Sequence, residues 1–208
     1  MQVKFLKLEG VPIWEQLKLE ETILRTGTGN WFIVNSGSAP AIVMGLSARM
    51  EEVVDTIAVG QLPIIRRFSG GGTVVVDEDT LFCTLIIRDA NLPCERTPQA
   101  FMEWTRGVYG TAFMPHELQL EAHDYALEGR KVGGNAQCFV KGGVLHHTSF
   151  LWSWKPERMA LLKMPPKQPA YRQNRPHEAF CVQLAAYFPS RNSFIHSLEV
   201  AVEGIKIV

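Results

Sequence analysis

The sequence predicts an α+β fold, with a mixed or antiparallel sheet flanked by helices. Short apolar runs typical of β-strands are concentrated in the middle of the chain. Segments with helical spacing of apolar residues lie mainly towards the two ends. Strands gathered in this way favour an α+β arrangement.

The first half of the chain begins with a predicted helix at residues 12–25. Pro12 stands near its start, and Trp14, Leu17 and Leu24 form one apolar face among glutamates. A shorter helix is expected at 51–59. Apolar runs bounded mostly by Gly, Ser or Pro predict strands at 31–34, 41–44, 64–68, 73–76 and 81–87.

The second half combines one helix, three strands and a mostly helical tail. Residues 98–112 have helical spacing, with Phe101, Trp104 and Val108 among the apolar positions. Glycines at the turns separate predicted strands at 118–127, 131–140 and 144–152. The tail predicts a loop or lid at 164–175 and helices at 156–163, 176–187 and 192–203.

Length and composition fit one domain over residues 1–208. Acidic and basic residues number 21 each, so the charge gives no reason to expect nucleic acid or an anionic membrane as a partner. No segment approaches the roughly 20 apolar residues of a membrane-spanning helix, and the first residues do not resemble a secretory signal. The four scattered cysteines show no disulfide framework, so we expect a reduced, cytoplasmic protein.

Three consecutive glycines, Gly70, Gly71 and Gly72, interrupt two predicted strands. Glycine permits positive φ and close approach of the backbone to a ligand, and successive free N–H groups form a cradle for an anion. Arg67 adds a planar cation suited to a phosphate or a carboxylate. The alternative is a flexible hairpin turn, although tight turns need two glycines rather than three beside two arginines. The pattern is neither a Walker loop nor a dinucleotide fingerprint.

Lys131 is followed closely by two glycines and other small residues. Such a lysine can point into a cleft, where its ammonium polarises a carboxylate and offsets charge that grows on a phosphate. The alternative is a solvated lysine at a glycine turn. Asp124, seven residues earlier, could hold Lys131 or a magnesium ion, or could merely begin a strand.

Two adjacent histidines, His146 and His147, lie within an apolar predicted strand. Neighbouring strand residues face opposite sides of a sheet, so only one of the two can face a given site. They therefore cannot form a typical metal pair on one face. A structural role is the alternative for a single histidine in a strand.

In this order and spacing, the residues resemble the biotin/lipoate A/B protein ligase family, most closely its lipoate–protein ligase A branch. The residues 133–137 and 147–152 are similar to a short ligase-like branch also seen in plants. The likeness runs from the first helix to about residue 188. Its motifs are Arg67-x-Ser69-Gly70-Gly71-Gly72-x-Val74, then Asp124, then Arg130-Lys131-Val132-x-Gly134-x-Ala136, then His146-His147.

The resemblance implies a class II biotin/lipoyl ligase-like catalytic domain and a two-step reaction. Lipoate or octanoate would react with ATP, in the presence of Mg²⁺, to give acyl-AMP and pyrophosphate. A lysine of a lipoyl-acceptor domain would then take the acyl group. By resemblance, Lys131 is the catalytic residue, and the acceptor is a dehydrogenase E2 subunit or a protein of the glycine cleavage H type.

The resemblance also implies which residues bind the acid and ATP. Arg67 and the three glycines would hold the adenylate phosphate and line the acyl tunnel, and Asp124 would help to hold Mg²⁺. A side chain at Gly71 is expected to weaken adenylate binding more than folding. The implied set is Arg67, Ser69, Gly70, Gly71, Gly72, Thr73, Val74, Asp124, Gly134, Ala136, His147 and Thr148.

Three departures from the family pattern leave alternatives open. Valines follow the glycines where the family has a histidine, and Gly133 and Asn135 stand where serines are common. The chain ends at Val208, without the C-terminal accessory domain of larger bacterial ligases. It could therefore be a self-sufficient short ligase, a catalytic half that needs a separate accessory chain, or an enzyme that only transfers a preformed acyl group.

The nearest alternative is an octanoyl or lipoyl transferase of the same fold, which carries the acyl group as a cysteine thioester. The positions that the resemblance implies for that cysteine, near 115–117 and 164–166, contain none, and the direction of Cys138 is open. A ligase is therefore preferred. A degenerate, non-catalytic binder of acyl groups is the second alternative, and the retention of Arg67, Asp124 and Lys131 argues against it. The glycine-rich motif disfavours a biotin ligase.

Overall fold

Two mixed sheets form the framework of the molecule. A computed structural model describes residues 2–165 and 167–205. The larger sheet has the strand order β1-β2-β6-β10-β9-β8-β7 and the smaller one the order β4-β3-β5. β1 pairs with β2, and β3 with β4, in parallel, whereas the other pairs are antiparallel. The strands are β1 (Val3–Glu9), β2 (Asn30–Ser36), β3 (Ala41–Met44), β4 (Ile64–Arg66), β5 (Val74–Val76), β6 (Thr80–Arg88), β7 (Gln119–Glu121), β8 (Asp124–Leu127), β9 (Arg130–Val140) and β10 (Gly143–Leu151).

Three long helices and three single-turn helices surround the sheets in the described residues. Thr97 caps the third helix by accepting a hydrogen bond from the backbone of Ala100, and Pro98 is preorganised for its first turn. No helix in residues 2–165 and 167–205 is long and apolar enough to cross a membrane. The helices are α1 (Ile13–Thr26), α2 (Met50–Val53), α3 (Pro98–Phe113), α4 (Pro156–Met159), α5 (His177–Phe180) and α6 (Arg191–Glu203).

The two faces of the larger sheet bury different partners. On one face α3 and α6 cover the main core, where Phe194 packs edge to face against Phe113 and Phe150. On the other face Leu24 of α1 packs against a second cluster that includes Leu145. Full burial of each such side chain stabilises the fold by about 1.5–3 kcal/mol. The smaller sheet lies on the α1 side, because its strand β3 shares a core cluster with that helix.

The predicted α+β fold, with a mixed sheet flanked by helices, is confirmed, but the sequence patterns do not predict β1. Val3 and Phe5 of this strand pack against the main core, and Leu6 and Leu8 pack against the second cluster. The strand therefore carries apolar residues on both of its faces. It extends the larger sheet by pairing in parallel with β2.

Other predicted elements are wrong in extent. The predicted helix 51–59 divides into α2 and a 3₁₀ turn at Thr56–Ala58, because Val54 between them is extended. The predicted strand 118–127 is a hairpin of β7 and β8, with Ala122 at positive φ in its turn. The predicted helices 156–163 and 176–187 reduce to α4 and α5, because Leu162 and Cys181 form extended backbone pairs with Val54 and Lys131. The predicted loop 164–175 contains a short helical turn at Ala170–Arg172, and Pro166 lies outside the described residues.

Candidate active site

A cavity of about 760 Å³ is lined by residues of both sheets and of the chain that follows β10. One wall is formed by β9 and β10, which we call the sheet wall. Another is formed by the glycine loop, residues 69–73, which joins β4 and β5. A third is formed by residues 164–165 and 167–181, which we call the strap. Cavities of this size accommodate ligands of the size of a drug or a nucleotide.

The sheet wall is kept open by small side chains. Gly134 and Ala136 of β9 lie opposite Ser149 and His147 of β10, and all four line the cavity. A Cβ at Gly134 would lie 3.1 Å from Ser149 Oγ and 3.3 Å from Val74 Cγ1. A larger residue at Gly134 would therefore narrow the cavity between the two sheets.

His146 and Thr148 face the opposite side of the sheet. The Tyr125 hydroxyl lies 3.1 Å from His146 Nε2, and the Thr148 hydroxyl donates to Asn135 Oδ1 at 2.9 Å. Burial, and then the charge of His147, lower the pKa of His146 to about 3, so this histidine is neutral at physiological pH. Thr148, which the sequence analysis includes among the binding residues, does not line the cavity.

A β-bulge directs Lys131 towards the cavity. Tyr125 of β8 pairs with Gly133 of β9, and Ala126 pairs with Lys131, so Val132 is an extra residue without a partner on β8. The side chain of this extra residue points away from the cavity and is buried in the main core. Without the extra residue, strict alternation would turn Lys131 to the side of Gly133, away from the cavity.

Lys131, Asp124 and Tyr171 form a chain of polar contacts at the cavity. The Lys131 ammonium lies 2.6 Å from Asp124 Oδ1, and their side chains are 26% and 13% exposed. The Tyr171 hydroxyl donates to Asp124 Oδ2 at 2.9 Å. Burial, and then the Asp124 charge, raise the pKa of Tyr171, so its proton stays on the phenol. Both carboxylate oxygens of Asp124 are thus engaged.

Asp124 could be at most one of several ligands of a magnesium ion in this cavity. Each of its oxygens has one contact, with an ammonium or with a phenol, and keeps a further lone pair, but Mg²⁺ requires six oxygen ligands in near-octahedral geometry. Among residues 2–165 and 167–205, no group of three or more His, Cys, Asp or Glu side chains could hold a metal ion. Any Mg²⁺ here would be held by the phosphates of a nucleotide.

Arg67 braces the glycine loop from within. Its guanidinium is buried and donates to the carbonyls of Val43 at 3.3 Å, Gly70 at 3.2 Å and Gly72 at 2.7 Å. Burial lowers its pKa to about 10, so it is still charged at neutral pH. Ser69 is fully buried and, unlike Gly70 and Gly72, does not line the cavity.

Gly71 is the strained position of this loop. Its φ of +116° is rare for residues with a side chain. A Cβ would lie 2.6 Å from Asn135 O, 2.8 Å from an Arg67 nitrogen and 3.1 Å from Ala136 Cα. A side chain at Gly71 therefore costs folding stability, and its larger effect on adenylate binding stays a prediction. At Gly72, by contrast, a Cβ would meet no atom within 4 Å.

Glu20 anchors His147 from α1 and is a site residue that the sequence analysis does not identify. Its Oε2 lies 3.0 Å from His147 Nδ1, and its Oε1 accepts hydrogen bonds from Thr84 at 2.6 Å and Gln16 at 2.7 Å. Gln16 and Glu20 occupy the buried face of α1 that also carries Leu17. Polar residues on an otherwise apolar helix face are the signal that would have indicated this network.

The strap contributes further residues that the sequence analysis does not identify. Arg172 is 4% exposed, lies 4.6 Å over the Phe180 ring and has no carboxylate partner in the part of the chain that the structure describes. Burial, and then the charges of Arg172 and Lys131, lower the pKa of His177 to about 4. Burial raises the pKa of Cys181, whose backbone pairs with Lys131. No periodic pattern marks these residues.

The cavity carries an excess of positive charge. Among the described residues that line it, the acidic side chain is that of Asp124. Three histidines also lie on the lining: His123, His147 and His177. The basic side chains on the lining are Arg67, Lys131, Lys163, Lys167 and Arg172.

A family model for the lipoyl protein ligase A/B catalytic domain matches residues 12–202. The chain belongs to this family. The match includes the glycine loop, the sheet wall, Asp124, Lys131 and the strap. The predicted membership is thereby confirmed.

Two curated relatives in this family carry different names. An "inactive lipoate–protein ligase 2" of Plasmodium falciparum is 25% identical over 236 aligned positions, which cover 85% of this chain and 62% of that protein. Lipoate-protein ligase LplJ of Bacillus subtilis is 30% identical over 128 positions, which cover 58% of this chain and 36% of that protein. The chain thus spans less than two thirds of either relative.

Solved structures share the fold over nearly the whole chain. A lipoate-protein ligase A bound with ATP has a TM-score of 0.76 at 19% identity, over 97% of this chain and 84% of that one. The bi-partite lipoate protein ligase of Thermoplasma acidophilum, described with its E2 lipoyl domain, has a TM-score of 0.79 at 17% identity, over 97% and 82%. At these identities the likeness establishes the catalytic-domain fold.

Proposed function

We propose that this protein is a lipoate–protein ligase. It activates lipoate or octanoate with ATP to an acyl-AMP and transfers the acyl group to a lysine of a lipoyl-acceptor domain. The observation that supports this most directly is the cavity lining, where five basic side chains stand with one carboxylate. Such an excess attracts a polyanion such as ATP. The apolar side chains of Val74, Val75, Phe82 and Ala136 offer a surface for an acyl chain in the same cavity.

In the first step, a carboxylate oxygen of the acid attacks the α-phosphorus of ATP. The bond from that phosphorus to the β-phosphate oxygen breaks, and pyrophosphate leaves with its electron pair. The Lys131 ammonium, held by Asp124 at 2.6 Å, offsets the negative charge that builds up on the phosphate. Arg172 adds a further cation, which is buried and has no carboxylate partner in the described residues.

In the second step, the amine of an acceptor lysine attacks the acyl carbon. The bond from that carbon to the phosphate oxygen breaks, AMP leaves, and the amine loses a proton to solvent. Lys131 assists by hydrogen bonding to the carbonyl oxygen as its charge grows, without acting as a nucleophile. Holding the acid and the nucleotide together in one cavity supplies a large part of the rate.

The proposed partner is a lipoyl-acceptor domain of the dehydrogenase E2 or glycine cleavage H type. The family supports this, and the Thermoplasma acidophilum ligase is described with its E2 lipoyl domain. That ligase is also bi-partite, which keeps a separate accessory chain among the proposed partners. A single catalytic domain over residues 1–208 and a cytoplasmic location remain predictions of the same proposal.

The decisive experiment is ATP–pyrophosphate exchange with lipoate, octanoate and biotin as separate substrates. We expect exchange with lipoate or octanoate, none with biotin, and loss of exchange in Lys131→Ala. Acyl transfer to a purified lipoyl domain is measured by intact mass in parallel. Absence of exchange with every acid, with and without a lipoyl domain and a candidate accessory chain, would rule out the ligase.

Cys181 favours an acyltransferase as the second candidate. From the sequence, a ligase is preferred because no cysteine is expected beside Lys131. In the structure, however, Cys181 lines the cavity and pairs with Lys131 through the backbone. A transferase would show an acyl-thioester on Cys181 and no pyrophosphate exchange. Burial raises the pKa of this thiol, which opposes the thiolate that such chemistry needs.

A non-catalytic acyl-group binder is the third candidate, because one relative is named an inactive ligase. Such a protein would bind lipoate or octanoate in a calorimeter without exchange or transfer. The ammonium of Lys131 would serve a binder as well, since it pairs with the carboxylate of a free acid. The excess of basic side chains on the lining argues for the enzyme, because it suits a polyanion such as ATP.

A further inference from the structure

The strap is fixed to the rest of the chain mainly near its two ends. At one end Leu162 pairs with Val54, and Lys163 N–H donates to Val53 at 3.0 Å. At the other end Cys181 pairs with Lys131. Between these ends, two side chains also reach the rest of the chain: the Tyr171 hydroxyl donates to Asp124 at 2.9 Å, and the Arg175 guanidinium donates to the Gly129 carbonyl at 2.9 Å.

We propose that Tyr171 is a positioning residue for Lys131. Its hydroxyl holds Asp124 Oδ2, which leaves Oδ1 for the Lys131 ammonium. A carboxylate held at both oxygens cannot rotate freely, so the ammonium keeps a fixed place in the cavity. This inference rests on the role of Lys131 in the proposed function.

Tyr171 acts through Asp124 and not on a ligand. Lys131 and Asp124 line the cavity, whereas Tyr171 does not. The Tyr171 ring packs on Phe180, with the two ring centroids 5.0 Å apart, so its direction is set by the strap. A displacement of the strap would withdraw the hydroxyl and release the Asp124 carboxylate. Tyr171 therefore makes the placement of Lys131 depend on the position of the strap.

Tyr171→Phe removes the hydroxyl and keeps the ring packing. A matched control is Tyr187→Phe, because the Tyr187 hydroxyl also donates to a carboxylate, that of Glu128 at 3.0 Å, outside the cavity lining. We expect Tyr171→Phe to lower kcat of acyl transfer roughly tenfold, with KM for the acid within about twofold, since a hydrogen bond to a charged group is lost. Tyr187→Phe should match the wild type.

Asp124→Ala removes the acceptor of the Tyr171 hydroxyl and so separates positioning from packing. If Tyr171 acts through the carboxylate, Tyr171→Phe costs nothing further in the Asp124→Ala background. A wild-type kcat in Tyr171→Phe, or the same loss in both backgrounds, would overturn the inference.

A readout that does not depend on turnover distinguishes this inference from the proposed function. Native proteins are labelled with trace acetic anhydride, and the rate at Lys131 is compared with that at Lys141 by mass spectrometry. Tyr171→Phe should raise the relative rate at Lys131 by about twofold or more, because an Asp124 carboxylate that is no longer held leaves the lysine side chain free to move and to meet the reagent. Tyr187→Phe should not change it. An unchanged ratio in Tyr171→Phe contradicts the positioning role even if the wild type proves inactive.

Discussion

The sheet wall and the strap face the same cavity but are held in different ways. β9 and β10 pair continuously from Gly143↔Val140 to Phe150↔Gly133, so the residues of the sheet wall have fixed directions. The strap has short helical turns, and its strand-type pairs are isolated ones near its ends. The comparison indicates a division of roles. The sheet wall fixes the width of the cavity and the place of Lys131, and the strap adds charge and support.

If the sheet wall carries the chemistry, the largest effect should come from Lys131→Ala. We expect acyl transfer to fall by at least about 10²–10³-fold, the usual loss when a charge-stabilising group is removed. Lys131→Arg should also fail, because the guanidinium fork is wider than an ammonium. The measurement is single-turnover transfer to a lipoyl domain, with circular dichroism to confirm folding.

Lys141→Ala is the matched control for this substitution. Lys141 lies in the turn between β9 and β10, is exposed and does not line the cavity. It should retain most of the activity. A folded Lys131→Ala protein with wild-type rates would remove the chemical role from the sheet wall.

The second effect concerns the contact between the glycine loop and the sheet wall. Gly71→Ala should destabilise the fold by about 1–3 kcal/mol, because a Cβ is strained at this φ and meets Asn135 O at 2.6 Å. Gly72→Ala should stay within about 0.5 kcal/mol of the wild type, since its Cβ has open space. Urea unfolding of the three proteins provides the test. Equal stability of the two variants would mean that the loop does not pack against β9 in solution.

The sequence reveals the sheet wall better than the strap, for a physical reason. Runs of glycine and small residues are visible in any sequence, so Gly70, Gly71, Gly72, Gly134 and Ala136 could be predicted and do line the cavity. The bulge at Val132 could not, because it appears only when β8 and β9 pair. The side chains around Gly133 also explain why glycine stands there instead of the serine that is common in the family. A Cβ at Gly133 would lie 2.9 Å from a Thr148 methyl and 3.0 Å from the Phe150 ring.

The strap residues could not be predicted because their partners are remote in the sequence. Tyr171 meets Asp124 across 47 positions, and no periodicity marks such a contact. The expected helix 176–187 also obscured Cys181, which lies in an extended pair with Lys131. The available signal was a polar cluster of Tyr171, Arg172 and Arg175 in the predicted loop, followed closely by His177.

A third prediction separates the two regions by their response to acid. Burial depresses the pKa of His146 to about 3 and that of His177 to about 4, below the ordinary value of 6.5. The folded state then binds fewer protons than the unfolded state below about pH 6.5, so stability is full above that pH and falls as the pH drops towards 4. Urea midpoints at pH 7.5 and 5 should show this loss.

His177→Gln tests how much of the acid sensitivity comes from the strap. This variant should show a smaller difference between the urea midpoints at pH 7.5 and pH 5 than the wild type. The difference that is left then comes from other buried groups, such as His146 in the sheet. His196→Gln is the control, because that side chain is 74% exposed. If His177→Gln and His196→Gln show the same pH dependence as the wild type, the strap histidine is not held neutral by burial.

The smallest effects should come from the cysteines, and they decide whether the strap takes part in covalent chemistry. Cys138→Ser should keep most of the activity, because this thiol does not line the cavity and the ligase route needs no thiol.

Cys181→Ser is the sharper test, since Cys181 lies on the cavity beside Lys131. If the strap only supports the lysine, this variant should also transfer lipoate from ATP within about threefold of the wild-type rate, as expected for a near-isosteric change outside the chemistry. Mass spectrometry of both proteins after incubation with an acyl-thioester donor completes the experiment. An acyl group trapped on Cys181, together with loss of transfer in Cys181→Ser, would move the nucleophile to the strap and make the protein a transferase. The division between the two walls would then no longer hold.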